Sequence, residues 1–102
     1  MTEATWSALA DPHRRAVLDL LRSGERAVGE VVDALRLSQP QASKHLRVLR
    51  TAGLVQVRKD AQRRLYRLDP RPIAEVDAWL APYRQRWNQS LDRLEEHLEE
   101  HP

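Results

Sequence analysis

The sequence has no cysteine and no phenylalanine among its 102 residues. Without cysteine there is no disulfide, no thiolate metal ligand and no thiol nucleophile. Only three glycines occur, Gly24, Gly29 and Gly53, too scattered for a glycine-rich phosphate loop. A paired His-Glu-x-x-His motif and a nucleophile elbow are both missing. The four histidines, His13, His45, His97 and His101, are spread along the chain, and Asp11 beside His13 is explained by helix capping. These absences argue against an enzyme. No apolar run approaches the ~20 residues that span a bilayer, and Met1 to Thr5 carry neither the basic nor the apolar part of a signal segment. The expectation is a soluble, cytoplasmic chain forming one domain over residues 1–102. So short a chain buries a modest core, so a partner subunit is plausible on size alone.

Charge is present and unevenly placed. The net charge is +2, yet residues 1–72 carry +6 and residues 73–102 carry −4. A basic body suits a polyanion, and an acidic tail suits another task.

Trp6 to Ala10 read as a short first helix capped by Thr5. Asp11-Pro12 then reads as an N-cap with proline in the first turn. The second helix follows, with Ala16, Val17, Leu20 and Leu21 on one face and Ser23-Gly24 as its stop. Val28, Val31, Val32 and Leu35 define a third helix. Arg36-Leu37 connect it tightly to a fourth, where Ser38 and Gln41 have the spacing of a capping box and Pro40 lies in the first turn. Ala42, Leu46 and Leu49 are its inward residues, and Gly53 is placed to end it in a left-handed conformation.

The period then changes. Leu54–Lys59 and Arg63–Leu68 suit two strands joined by a turn at Asp60-Ala61-Gln62. Asp69-Pro70-Arg71-Pro72 breaks the pattern. Helical spacing returns at Ile73 and continues through Val76, Leu80, Trp87, Leu91, Leu94 and Leu98, with Pro82 expected to kink or split the segment.

The fourth helix is rich in hydrogen-bonding side chains: Ser38, Gln39, Gln41, Ser43, Lys44, His45 and Arg47. Spacing places Gln41, Lys44 and His45 together on its outward face. An amide can read adenine with two hydrogen bonds, and a cation can reach guanine or phosphate. The hairpin adds Arg58, Lys59, Arg63 and Arg64 around its tip, with Asp60 as the opposing acid nearby in sequence. Clustered like charges repel, so a polyanion explains them better than stability does. The bland alternative for both is a solvated polar surface. An RNA reader would display an aromatic platform, and the hairpin offers only Tyr66.

Four stretches carry a resemblance: Ala8-Leu9-Ala10-Asp11-Pro12-His13-Arg14-Arg15, the run from Ser38 to Leu49, Ala52-Gly53-Leu54-Val55, and Tyr66-Arg67-Leu68. In this order, covering roughly residues 6–98, they resemble the ArsR family of winged helix-turn-helix repressors. The resemblance implies a mainly α fold with a small β-hairpin, in the order α-α-α-α-β-β-α, and a homodimer on double-stranded DNA. It also implies that the fourth helix enters the major groove. On this reading residues 5–72 are the DNA-binding body and 73–100 the dimerisation segment. Trp6, Leu9, Trp79, Tyr83, Trp87, Leu91, Leu94 and Leu98 are then the expected dimer interface.

The departures from the family are specific. Arg26 to Val31, where many members hold metal through cysteines, has none. On the last helix Asp92, Glu96, His97, Glu100 and His101 include a histidine pair four apart that can share one helix face, but a closed site needs more ligands, with a second subunit as one source, and the terminus frays; neither metal nor other cofactor is expected. The hairpin tip lacks the usual glycine, which predicts a longer or irregular turn. A protein-interaction module working through the acidic amphipathic C-terminal helix remains the alternative function.

Overall fold

Thr2, not Thr5, opens the first helix. In the computed structural model, which describes residues 2–101, its hydroxyl accepts from the Thr5 backbone N–H at 3.3 Å. Helix α1 is therefore Glu3–Leu9, one turn longer at its start than the sequence suggests. Thr5 lies inside it, 2% exposed. Glu3 in the first turn suits the positive end of the helix dipole.

Helix α2, Pro12–Leu21, starts as expected, with Asp11 Oδ1 accepting from the backbone N–H groups of His13 (2.7 Å) and Arg14 (3.3 Å). Its buried residues are Val17, Leu18 and Leu21, while Ala16 and Leu20 sit at the edge of that face. A two-residue strand, β1 (Arg26–Ala27), follows and then α3, Val28–Leu35. The strand was not legible: two residues are too few to show a period.

Arg36 closes α3 in the left-handed region (φ 54°), and the Leu37 N–H donates back to the Val32 carbonyl at 3.2 Å. Helix α4, Gln39–Thr51, then starts on the predicted capping box. Ser38 Oγ accepts from the Gln41 N–H at 3.2 Å, and Gln41 Oε1 accepts from the Ser38 N–H at 3.0 Å. At the other end Gly53 has φ 80°, with Gly53 N–H to Arg50 O and Leu54 N–H to Leu49 O, both at 3.0 Å. This is the paired-bond C-terminal cap that a left-handed glycine makes possible.

Strands β2 (Val55–Asp60) and β3 (Arg63–Leu68) form the hairpin, and β1 joins the outer edge of β3, giving the antiparallel order β1-β3-β2. The pairing runs from Val55 with Leu68 to Asp60 with Arg63. Only Ala61 and Gln62 remain for the turn, so the expectation of a longer one is overturned. Ala61 itself takes the left-handed conformation, φ 56°. The core joins α1–α4 to one face of this sheet: Ala8, Val17, Val31, Ala42, Leu46, Leu49, Leu54 and Val55 are buried together.

Asp69 links the sheet to the last helix. It is 5% exposed, and its backbone N–H donates to the Leu54 carbonyl at 2.9 Å. Its carboxylate accepts from Gln56 Nε2 (2.8 Å), the Arg71 N–H (3.1 Å) and the Arg71 guanidinium (2.6 Å at the closest). These Arg71 bonds hold the Asp69 carboxyl well below the usual carboxylate range. Helix α5 is Arg71–Glu100, beginning two residues before Ile73. It is not split at Pro82 but runs unbroken through it. Proline removes one N–H and so one intrahelical bond; an Arg84–Asp77 ion pair of 2.6 Å spans the position. Thirty residues make a rod of about 45 Å.

Candidate nucleic-acid interface

Three inward positions orient α4. Ala42, Leu46 and Leu49 are fully buried, which turns Ser43, Lys44 and Arg47 outward into solvent; Gln39, in the first turn, is exposed as well. Ser38 and Gln41 are also exposed, but each already serves the other in the capping box. The Gln41 side-chain carbonyl holds the helix start, and its amide N–H2 has no partner among the described residues.

His45 departs from the expected outward face. It is half-buried against the start of α2, its ring stacked on His13 at 5.6 Å and 28°. At 100° per residue, His45 lies only about 60° from the centre of the buried face, whereas Lys44 lies nearly opposite it. Burial lowers the His45 pKa, and the nearby Asp11 carboxylate opposes that shift. Lys44 and Arg47, with Arg50 in the last turn, are the exposed basic groups of this helix; His45 is not one of them.

The hairpin has two different faces. Arg58 donates to both oxygens of Glu25, at 2.7 and 2.9 Å, and Arg63 to Glu30 at 3.1 Å. Glu25 is thereby lowered in pKa, chiefly by the Arg58 hydrogen bond, and Arg58 correspondingly raised. On the opposite face, Lys59 and Arg64 stand directly across the strand pair from one another. Neither has an ion pair among the described residues. Opposed like charges destabilise a strand pair. Arg50, in the last turn of α4, joins them around a shallow cleft with Val57 and Arg58.

The apolar residues assigned to a dimer interface lie open along one side. Trp6 meets Trp79 edge to face at 5.3 Å, and Trp79 meets Tyr83 at 5.0 Å. Trp79 is 47% exposed and Trp87 66%, and Leu91, Leu94 and Leu98 are also exposed. No residue of α5 is buried. Leu9 is the exception, half-buried against the core.

Helix–turn–helix, basic hairpin and long terminal helix together match known proteins. Residues 11–57 match the model of the arsR family of bacterial regulatory proteins. The chain is 47% identical over 74 residues to the HTH-type transcriptional regulator Rv2034 of Mycobacterium tuberculosis, covering 72% of this chain and 69% of that one. The chain belongs to the ArsR family. It is 42% identical over 69 residues to the HTH-type transcriptional repressor SmtB of the same species, covering 68% of this chain but only 51% of that protein. The homodimeric winged helix-turn-helix DNA-binding domain of Mb0332 from Mycobacterium bovis superposes with a TM-score of 0.67 at 33% identity, over 80% of this chain and 76% of that one. Within this ArsR-family winged helix-turn-helix, α3 and α4 are the two helices of the motif and β2–β3 the wing.

Two features of this ArsR-family site were missed in the sequence. Arg50 was readable, since it stands three residues after Arg47 on α4. The pairing of Glu25 and Glu30 with wing arginines 33 residues away was not, because it depends on β1 docking beside β3. His97 and His101 do lie together, their rings 4.7 Å apart at the end of α5. Among the described residues, no helix is long and apolar enough to cross a membrane.

Proposed function

We propose that this chain is a cytoplasmic, sequence-specific transcriptional repressor that binds a palindromic operator as a homodimer, with no enzymatic activity and no cofactor needed for DNA binding. The observation that carries the reading is the exposed polar and basic surface of α4 together with the open cations of the wing, the two meeting at Arg50. Gln39, Ser43, Lys44 and Arg47 are exposed on the helix, and Lys59, Arg64 and Arg50 lack acidic partners among the described residues. Base edges are read by the helix, with Gln41 contributing its free amide N–H2; phosphates are held by the wing. Arg58 and Arg63 play a smaller part than Lys59 and Arg64, because acids already neutralise them.

The α5 stripe supports the dimer. Trp79, Tyr83, Trp87, Leu91, Leu94 and Leu98, with Trp6, form a run of exposed apolar surface that a soluble monomer rarely carries. Residues 5–72 serve as the DNA-binding body and 73–100 as the dimerisation segment. A second copy covers the stripe, and two-fold symmetry then requires half-sites about one helical turn, or a multiple of it, apart. A dimer seated over a promoter blocks polymerase.

A mobility-shift assay with the chain's own promoter region, against random duplex and RNA, tests the function. A selective shift of the promoter duplex is expected, and equal binding to all three defeats the reading. Sedimentation at micromolar concentration tests the assembly. Twice the chain mass is expected, falling to one with Trp87→Glu and Leu91→Glu together. A monomer in the wild type would leave the α5 stripe to a different partner protein.

A further inference from the structure

Asp11 and His13 at the start of α2 meet His45 from the middle of α4. We propose that these three side chains form a binding site for a divalent transition ion of the zinc class at the joint between the two helices. One donor atom from each lies within 4.8 Å of the other two. Two imidazoles and one carboxylate are a donor set that zinc accepts, with the fourth position left to water.

Each donor is available. His45 Nδ1 is buried and has no hydrogen-bond partner among the described residues. Buried polar atoms are nearly always paired, so an orphan in a packed joint calls for an occupant. Asp11 uses Oδ1 to cap α2. That leaves Oδ2 without a hydrogen bond among the described residues, with Arg14 at 3.7 Å. Arg14 is itself tied to the Ala8 and Ser7 carbonyls, both at 2.8 Å, so it flanks the cluster without filling it. Its charge weakens the site compared with one having no neighbouring cation.

Tetrahedral zinc, with bonds of about 2.0–2.1 Å, holds its donors roughly 3.4 Å apart. The widest donor pair must therefore close by up to about 1.4 Å. His13 can supply that movement. Its side chain is 62% exposed, and among the described residues it has the ring stack and a 3.8 Å approach to Asp11. Capping accounts for Asp11 when the sequence is read alone; His45 joins it only through the packing of α4 on α2.

The test is a titration of the intact chain with Co2+, followed by competition with Zn2+, in the absence of DNA, so that the result is independent of the operator reading. A single ion per chain is expected, with the visible absorption of low-coordinate cobalt, displaced by zinc. His13→Ala should weaken binding by at least the roughly tenfold that loss of even an outer-shell partner costs. This exposed position leaves the fold intact, which thermal unfolding without metal checks. Asp11→Asn, which keeps the helix cap, should also weaken it. His97→Ala with His101→Ala should leave it unchanged. Absence of bound cobalt and zinc overturns the proposal. So does affinity unaffected by His13→Ala, or affinity lost only in the His97/His101 double variant.

Discussion

Arg58 of the wing donates both Nε and a terminal guanidinium nitrogen to the two carboxylate oxygens of Glu25, at 2.7 and 2.9 Å. This two-point pair faces away from Lys59, the next residue along the strand. Neighbouring cations on one hairpin are thus unequal: one is neutralised within the chain and the other is open.

DNA binding should register that inequality. Each phosphate contact adds about 0.9 to the log–log salt slope. Arg64→Ala should flatten the slope by about one unit per subunit and weaken operator and random duplex alike. Arg58→Ala should do less. Glu25→Gln, which releases Arg58, should strengthen binding to random duplex at low salt. Titrations across salt decide it, and a larger loss from Arg58→Ala than from Arg64→Ala would reverse the assignment.

Gln41 caps α4, and the base-reading role proposed for it is one that a single substitution separates from the cap. Gln41→Glu keeps a side-chain acceptor for the Ser38 N–H and places an acid at a helix start, where it is favoured. It also removes the amide donor and adds a charge that DNA repels. Thermal stability should hold or rise slightly while operator affinity falls by tenfold or more, about 1.4 kcal/mol. Ser38→Ala should instead cost about 1 kcal/mol of stability. If Gln41→Glu destabilises the fold and leaves operator binding intact, the two roles are wrongly assigned.

Arg36 and Ala61 occupy left-handed backbone, with φ of 54° and 56°. A side chain there costs roughly 1–2 kcal/mol relative to right-handed backbone, and glycine escapes most of that cost. Ala61→Gly and Arg36→Gly should each stabilise by about 0.5–1 kcal/mol after the entropy lost to glycine's freer unfolded state. Melting at fixed protein concentration measures this, since a dimer's midpoint depends on concentration. A lowered midpoint for Ala61→Gly would mean that the turn is not as described.

Asp69 should make the fold acid-sensitive in a particular direction. Arg71 depresses its folded pKa far below the unfolded value of about 3.9. A depressed carboxyl contributes stability that is complete above the unfolded pKa and is lost as pH falls towards the folded one. The stability gap between wild type and Asp69→Asn should therefore be flat above about pH 5 and shrink below about pH 4. Urea unfolding across that range tests it; a gap that widens in acid would contradict the role given to Arg71.

Much of this molecule was legible in the residue order because its signals are local. Asp11-Pro12, the Ser38/Gln41 box and Gly53 mark helix ends through atoms within a few residues of one another, and the structure has each cap as read. Ala42, Leu46 and Leu49 set the inward face of α4 by helical spacing alone. What the tertiary structure decided involves residues far apart in sequence. His45 looked outward by its distance from Gln41, but α2 packs over that edge of α4 and takes it in. Arg58 and Arg63 looked free until β1 paired with β3 and brought Glu25 and Glu30 beneath the wing. Asp69-Pro70 read as a break, yet its carboxylate joins β2 to the start of α5. Periodicity reports which face of an element is apolar; it carries no information about which neighbour will cover the margin of that face, and at those margins the polar side chains found their partners.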